Sequence, residues 1–110
     1  MATEQDLVVD VLRELGVLSG SEQPPAEDAD LVKTRYRQRL PRLVDENYAD
    51  WSVNSIPDDA MPGLRLVIAF DCARPFGLAA DPIIENQGLT ELARLMRKKA
   101  TYEPVRPDYF

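Results

Sequence analysis

The chain has 110 residues, 45% of them apolar, and a formal charge of −6, which describes one small domain with enough apolar side chains for a core. It has no apolar run of about 18 residues or more, so no membrane span is expected, and its acidic opening, Met1 to Asp6, is unlike a signal peptide. There is no histidine and a single cysteine, Cys72, which removes the commonest general base, the commonest metal ligand and any internal disulfide, and suits a reducing compartment.

Thr3, ahead of Leu7, Val8, Val11, Leu12 and Leu15, predicts a capped amphipathic helix. Thr3 and Asp6 have capping-box spacing, and Gly16 is its stop. Ser19 to Pro25 reads as a loop. A second helix is expected from near Glu27 to about Asp50, with Leu31, Tyr36, Leu40, Leu43, Val44, Tyr48 and Trp51 as its apolar stripe. Pro41 lies inside that pattern and should kink or divide the helix. Residues 52–59 read as a connection, and Pro62 fits the first turn of a third helix. Leu64, Val67, Ile68 and Cys72 share one face of it, and it ends around Pro75-Phe76-Gly77. Asp81 and Pro82 then form an N-cap and first-turn pair for a fourth helix running to about Lys99. Ile83, Ile84, Leu92, Leu95 and Met96 should face inward there, and cations fill its last turns, where the helix dipole favours them. No segment alternates as a strand should. The expected fold is all-α: a compact bundle of about four helices in a domain spanning 1–101.

Residues 102–110, Tyr-Glu-Pro-Val-Arg-Pro-Asp-Tyr-Phe, read as an extended C-terminal docking arm. Prolines 104 and 107 forbid a helix, since each lacks an N–H and pushes the preceding residue extended. A merely solvated tail has no use for Tyr109 and Phe110, whose burial would remove roughly 150–250 Å² each from water. The arm reaches about 30 Å, farther than so small a domain needs to cover itself. Another chain is the expected dock, with Tyr102, Pro104, Val105, Arg106, Pro107, Tyr109 and Phe110 as the docking residues.

Charge is distributed in blocks. Residues 1–30 hold eight acids and one base, 31–42 five bases and no acid, and 43–62 five acids and no base. Overall acidity argues against tight duplex DNA binding, where phosphate neutralisation dominates. The basic block Lys33, Arg35, Arg37, Arg39 and Arg42 has two readings. One is a solvated face paired with Glu27, Asp28, Asp45 and Glu46. The other is functional: an inter-subunit electrostatic seam against the acidic 1–30 region of a neighbour, or a stripe contacting phosphates.

Candidate chemistry is sparse. Asp58-Asp59 is the tightest acid pair, but it stands at a helix start, where capping and dipole roles account for it. Asp71 and Cys72 read as a surface carboxylate beside a core thiol. No glycine-rich phosphate loop and no Cys/His metal spacing occur, so neither an enzyme nor a cofactor is expected.

Several segments, in order, resemble the head-to-tail adaptor proteins of tailed bacteriophages, also called connector or packaged-DNA stabilization proteins. These are Gln5-Asp6-Leu7-Val8-Val9-Asp10-Val11-Leu12-Arg13-Glu14-Leu15-Gly16-Val17-Leu18, then Glu22-Gln23-Pro24 before a long helix, and the Ile56-Pro57 start. Leu64-Arg65-Leu66-Val67-Ile68-Ala69 follows, closing with Arg74-Pro75-Phe76-Gly77, a final helix and the aromatic arm. The resemblance implies a homo-oligomeric ring, commonly a dodecamer, below the portal. Such a ring extends the DNA channel, helps retain the packaged genome and carries tail or stopper proteins. It implies a virion protein of the neck, made in the host bacterial cytoplasm, with the portal and neighbouring adaptors as partners. Duplex DNA passes through without sequence-specific binding, which an acidic channel favours. Whether the arm meets the portal or an adjacent adaptor stays open. The alternative is a small helical DNA-binding or regulatory module using the basic 33–42 segment.

Overall fold

The computed structural model describes residues 1–18 and 23–102, the side chains of 100–102 excepted. Four helices form the body: α1 (Glu4–Glu14), α2 (Ala26–Asp45), α3 (Met61–Ala73) and α4 (Pro82–Tyr102). Short 3₁₀ turns, Asp58–Ala60 and Arg74–Phe76, bracket α3. Among the described residues there is no strand, only the two-residue antiparallel bridge between Ala2 and Ile56. The expectation of a compact all-α bundle of four helices holds.

The predicted cap on α1 forms. Thr3 Oγ1 accepts from the Asp6 amide at 3.3 Å, and Asp6 Oδ2 accepts from the Thr3 amide at 2.9 Å, so two otherwise orphaned N–H groups are satisfied reciprocally. Gly16 closes the helix at φ +74°. Its N–H reaches Arg13 O and that of Val17 reaches Leu12 O, which is a Schellman motif.

The second helix departs from expectation at two places. It ends at Asp45, not near Asp50, because Asn47 adopts φ +66°. The Asn47 amide then bonds Val44 O and the Tyr48 amide bonds Leu43 O at 2.7 Å, so the carbonyls of the last turn are capped by a second Schellman motif. Asparagine tolerates the left-handed region better than other non-glycine residues. Pro41 neither divides nor ends the helix. Its ring is on the exposed side, where water can take the Arg37 carbonyl that loses its intrahelical donor. The buried stripe is Ala29, Val32, Tyr36, Leu40 and Leu43; Val44, expected inward, is 46% exposed.

Leu64, Val67, Ile68 and Cys72 of α3 are all fully buried, as their spacing predicts. Gly77, at φ +75°, ends the chain's run through the second 3₁₀ turn. Asp81 Oδ1 accepts from the Ile83 amide at 3.0 Å and caps α4. Leu92 is buried, but Ile83, expected inward, is 65% exposed in the first turn. The helix continues past Lys99 to Tyr102.

The bundle closes on two glycines. A Cβ placed on Gly88 would sit 2.6 Å from Gly63 O, and one on Gly63 would sit 2.9 Å from Gly88 O. Helices α3 and α4 therefore touch backbone to backbone, and theirs is the most extensive packing in the molecule. At the centre, Tyr36 is fully buried. Its Oη donates to Val53 O at 3.0 Å and accepts from Trp51 Nε1 at 3.3 Å. Trp51, though outside the helix predicted to carry it, is still a core residue.

Candidate functional site

The basic block lies along α2, and its members have different surroundings. Arg37 forms a fork on Glu4, Nε to Oε2 at 2.7 Å and Nη2 to Oε1 at 2.8 Å. Glu4 is buried, so this charge-assisted pair is what makes its burial tolerable. The Glu4 carboxylate in turn raises the Arg37 pKa. Glu4 is further tied at its own amide, which donates to Asn54 Oδ1 at 3.0 Å.

Arg39 joins three helices. Its Nη1 donates to Asp71 Oδ1 of α3 at 2.8 Å, and its Nη2 lies 3.0 Å from Glu85 Oε2 of α4. Its side chain is 11% exposed, and Nε is buried without a hydrogen-bond partner. Arg42 pairs with Glu46 one turn on, on the exposed face, where such pairs contribute little. Thus three of the five cations have carboxylates within the chain. Lys33 and Arg35 are half-buried. The sequence offered Glu46 as a partner by its i, i+4 spacing. It gave no sign of Glu4, Asp71 or Glu85, which come from other helices and depend on how these pack.

Asp71 is more enclosed than a surface carboxylate, with its side chain 19% exposed. Burial raises its pKa, and Arg39 works against that shift while Glu85 adds to it. Beside it the fully buried Cys72 thiol is pushed up to about 12, mainly by desolvation. It is held protonated at neutral pH and is a poor nucleophile. Asp58 and Asp59 occupy the 3₁₀ turn that leads into α3. Arg65 Nε lies 3.3 Å from Glu14 Oε1, within ion-pair range but without hydrogen-bond geometry.

Two clefts open where α2, the end of α3 and the start of α4 meet. The larger, about 410 Å³, is bordered by Arg35, Phe70, Asp71, Arg74, Pro75, Ala80 and Pro82. Arg35 and Asp71 also border a second, of about 230 Å³, with Gln38, Arg39 and Arg42. Arg74 escaped the sequence reading because it stands outside the 31–42 block and reaches Arg35 only through the packing of α3 on α2.

At the other end of α4, Lys99 pairs with Asp50 and anchors the last turns to the segment after α2. Tyr102 is the last described residue of α4. Pro104, Val105, Arg106, Pro107, Tyr109 and Phe110 lie outside the described residues. Among the described residues no group of three or more Cys, Asp or Glu side chains is gathered as for a metal ion. No helix there is long and apolar enough to cross a membrane. No protein-family model, curated protein or solved structure matches the chain.

Proposed function

We propose that the chain is a structural head-to-tail adaptor of a tailed bacteriophage. It forms a ring below the portal that extends the DNA channel, helps retain the packaged genome and carries tail or stopper proteins. The reading is supported by one observation above all: several of the segments that carry the resemblance map onto helices of the fold and the turns that bound them. Gln5 to Leu18 covers α1 and its C-terminal cap, and Ile56-Pro57 leads into the 3₁₀ turn before α3. Leu64 to Ala69 lies within α3, and Arg74 to Gly77 is the turn that closes it. Among the described residues α4 is the final helix.

The ion pairs of Arg37, Arg39 and Arg42 favour an architectural role for the basic face over a phosphate-contacting one. In this reading residues 1–101 are the helical block, and 102–110 supply the contact to the portal or to the next adaptor. The test is assembly of the full chain with and without portal, followed by negative-stain imaging and sedimentation, against a variant lacking 102–110. Rings that depend on the arm are expected. Full virion assembly and genome retention without the arm would refute the proposal. Steeply salt-dependent binding of the free chain to duplex DNA would favour the regulatory alternative.

A further inference from the structure

The two clefts where α2, α3 and α4 meet hold positive charge in a molecule whose formal charge is −6. Arg35, Arg39, Arg42 and Arg74 border them against a single carboxylate, Asp71. Asp71 stands three residues before Arg74 but is engaged by Arg39, and Arg42 has Glu46. Among the described residues neither Arg35 nor Arg74 forms an ion pair. Arg35 is half-buried, and its field reaches the Asp71 carboxylate. The larger cleft, about 410 Å³, has the size of a small-molecule site, about 300–1,000 Å³. Both uncommitted guanidinium groups border it, and Phe70, Pro75 and Pro82 give it an apolar side.

We infer that the larger cleft binds a phosphate monoester borne on a planar ring, its phosphoryl oxygens on Arg35 and Arg74 and the ring against Phe70, Pro75 and Pro82. Charge selects the monoester. One guanidinium fork satisfies a carboxylate, whereas a monoester offers three strong acceptor oxygens and a charge of about −1.5 to −2 at neutral pH. Two guanidinium groups, one from α2 and one from the turn after α3, match that charge. A phosphodiester inside a nucleic-acid strand carries one charge, and the arginines that would track a duplex along α2 are tied to carboxylates at Arg37 and Arg39. The apolar side adds a reason for the ring, since a guanidinium and a planar π-system also stack. The same group occurs on a free mononucleotide and at the phosphorylated end of a strand. The inference is independent of the adaptor reading, because it uses no contact between copies and no residue of 102–110.

Titration of the isotope-labelled full chain with phenyl phosphate, followed through its amide resonances, tests it. Saturable shifts centred on residues 35–39 and 70–82 are expected, with inorganic phosphate and benzoate each binding more weakly. Arg35→Gln and Arg74→Gln should each weaken phenyl phosphate binding about tenfold or more and melt as the parent does. Asp71→Asn removes the one carboxylate on the cleft and should tighten binding, a gain that no loss of folding can imitate. Adenosine monophosphate and a terminally phosphorylated trinucleotide separate the two sources. Tighter binding of the first supports a free ligand, and of the second a strand end. A lack of saturable shifts, or shifts centred on Arg94 to Lys99, would overturn the assignment. So would benzoate binding as tightly as phenyl phosphate, a trinucleotide binding equally well without its terminal phosphate, or arginine variants that bind as the parent does. Ring assembly with the portal is measured separately, so either reading can fail while the other stands.

Discussion

Replacing Gly88 by alanine adds one methyl group at the point where α3 and α4 meet, and two opposing effects can be weighed. Alanine in a helix interior is favoured over glycine by about 1 kcal/mol. Against this, the new Cβ would lie 2.6 Å from Gly63 O, 2.8 Å from Val67 Cγ2 and 3.0 Å from Leu66 Cβ. Carbon–oxygen contacts across helix interfaces usually settle at about 3.3–3.6 Å, so the carbonyl must retreat by about 0.7 Å or more. A backbone oxygen has no rotamer to escape into, so the helices themselves must separate. Overpacking typically costs about 1–3 kcal/mol, occasionally more, and a fixed neighbour on each side places this site at the upper end. After the propensity gain, a net loss of about 1–2 kcal/mol is expected, or roughly 4–15 °C in melting temperature. Urea unfolding of the full chain followed by far-ultraviolet circular dichroism measures it. A midpoint equal to or above that of the parent would mean that the helices part freely, and the close-contact account would fail.

Four further outcomes follow from the buried polar and titratable groups. Arg39→Met leaves Asp71 and Glu85 facing each other with, among the described residues, only the unpaired Arg35 acting on Asp71 and should cost about 3 kcal/mol at neutral pH. That loss should shrink as pH falls through the raised pKa of Asp71, as read from urea midpoints at neutral and acid pH. Asp71→Asn should be neutral or stabilising at pH 7. Its folded pKa is raised, so the charged form is disfavoured by folding, and this penalty is relieved in the parent only as pH falls through that raised value; a large loss of stability would contradict this sign. Tyr36→Phe strands Trp51 Nε1–H and Val53 O and should cost about 1–3 kcal/mol, with a change in tryptophan fluorescence in the folded state. Cys72 should react with a thiol reagent only as fast as the chain unfolds, since burial keeps it protonated up to about pH 12; prompt stoichiometric labelling would refute that.

Local patterns carried most of the helical architecture. The Thr3–Asp6 box, Gly16, the Leu64–Cys72 face and Asp81 are decided by groups a few residues apart, and each lies where the spacing predicts it. Errors arose where neighbours distant in sequence, or a single backbone angle, decide. Asn47 stops α2 through a left-handed turn that nothing in the apolar stripe announces. Ile83 fits an inward period, yet it lies exposed in the first turn of α4. Arg39 looked like one of five equivalent cations, and only the packing of three helices separates it from Arg35. That Arg35 and Arg74 border one cleft could not be read at all, since they stand 39 positions apart.

The glycine contact also acts on geometry at a distance. Gly88 is the fulcrum of α4, and the 14 residues from there to Tyr102 form an arm about 21 Å long. A tilt of about 5° at the crossing would displace Tyr102 by about 2 Å, comparable to losing register with a neighbour. With backbone on backbone, no side chain can reshuffle to absorb such a tilt, and the Lys99–Asp50 pair braces the far end. The place from which the terminal segment departs is therefore fixed by two hydrogen atoms, the missing side chains of Gly63 and Gly88. In any repeated assembly, error in that angle would accumulate from one subunit to the next.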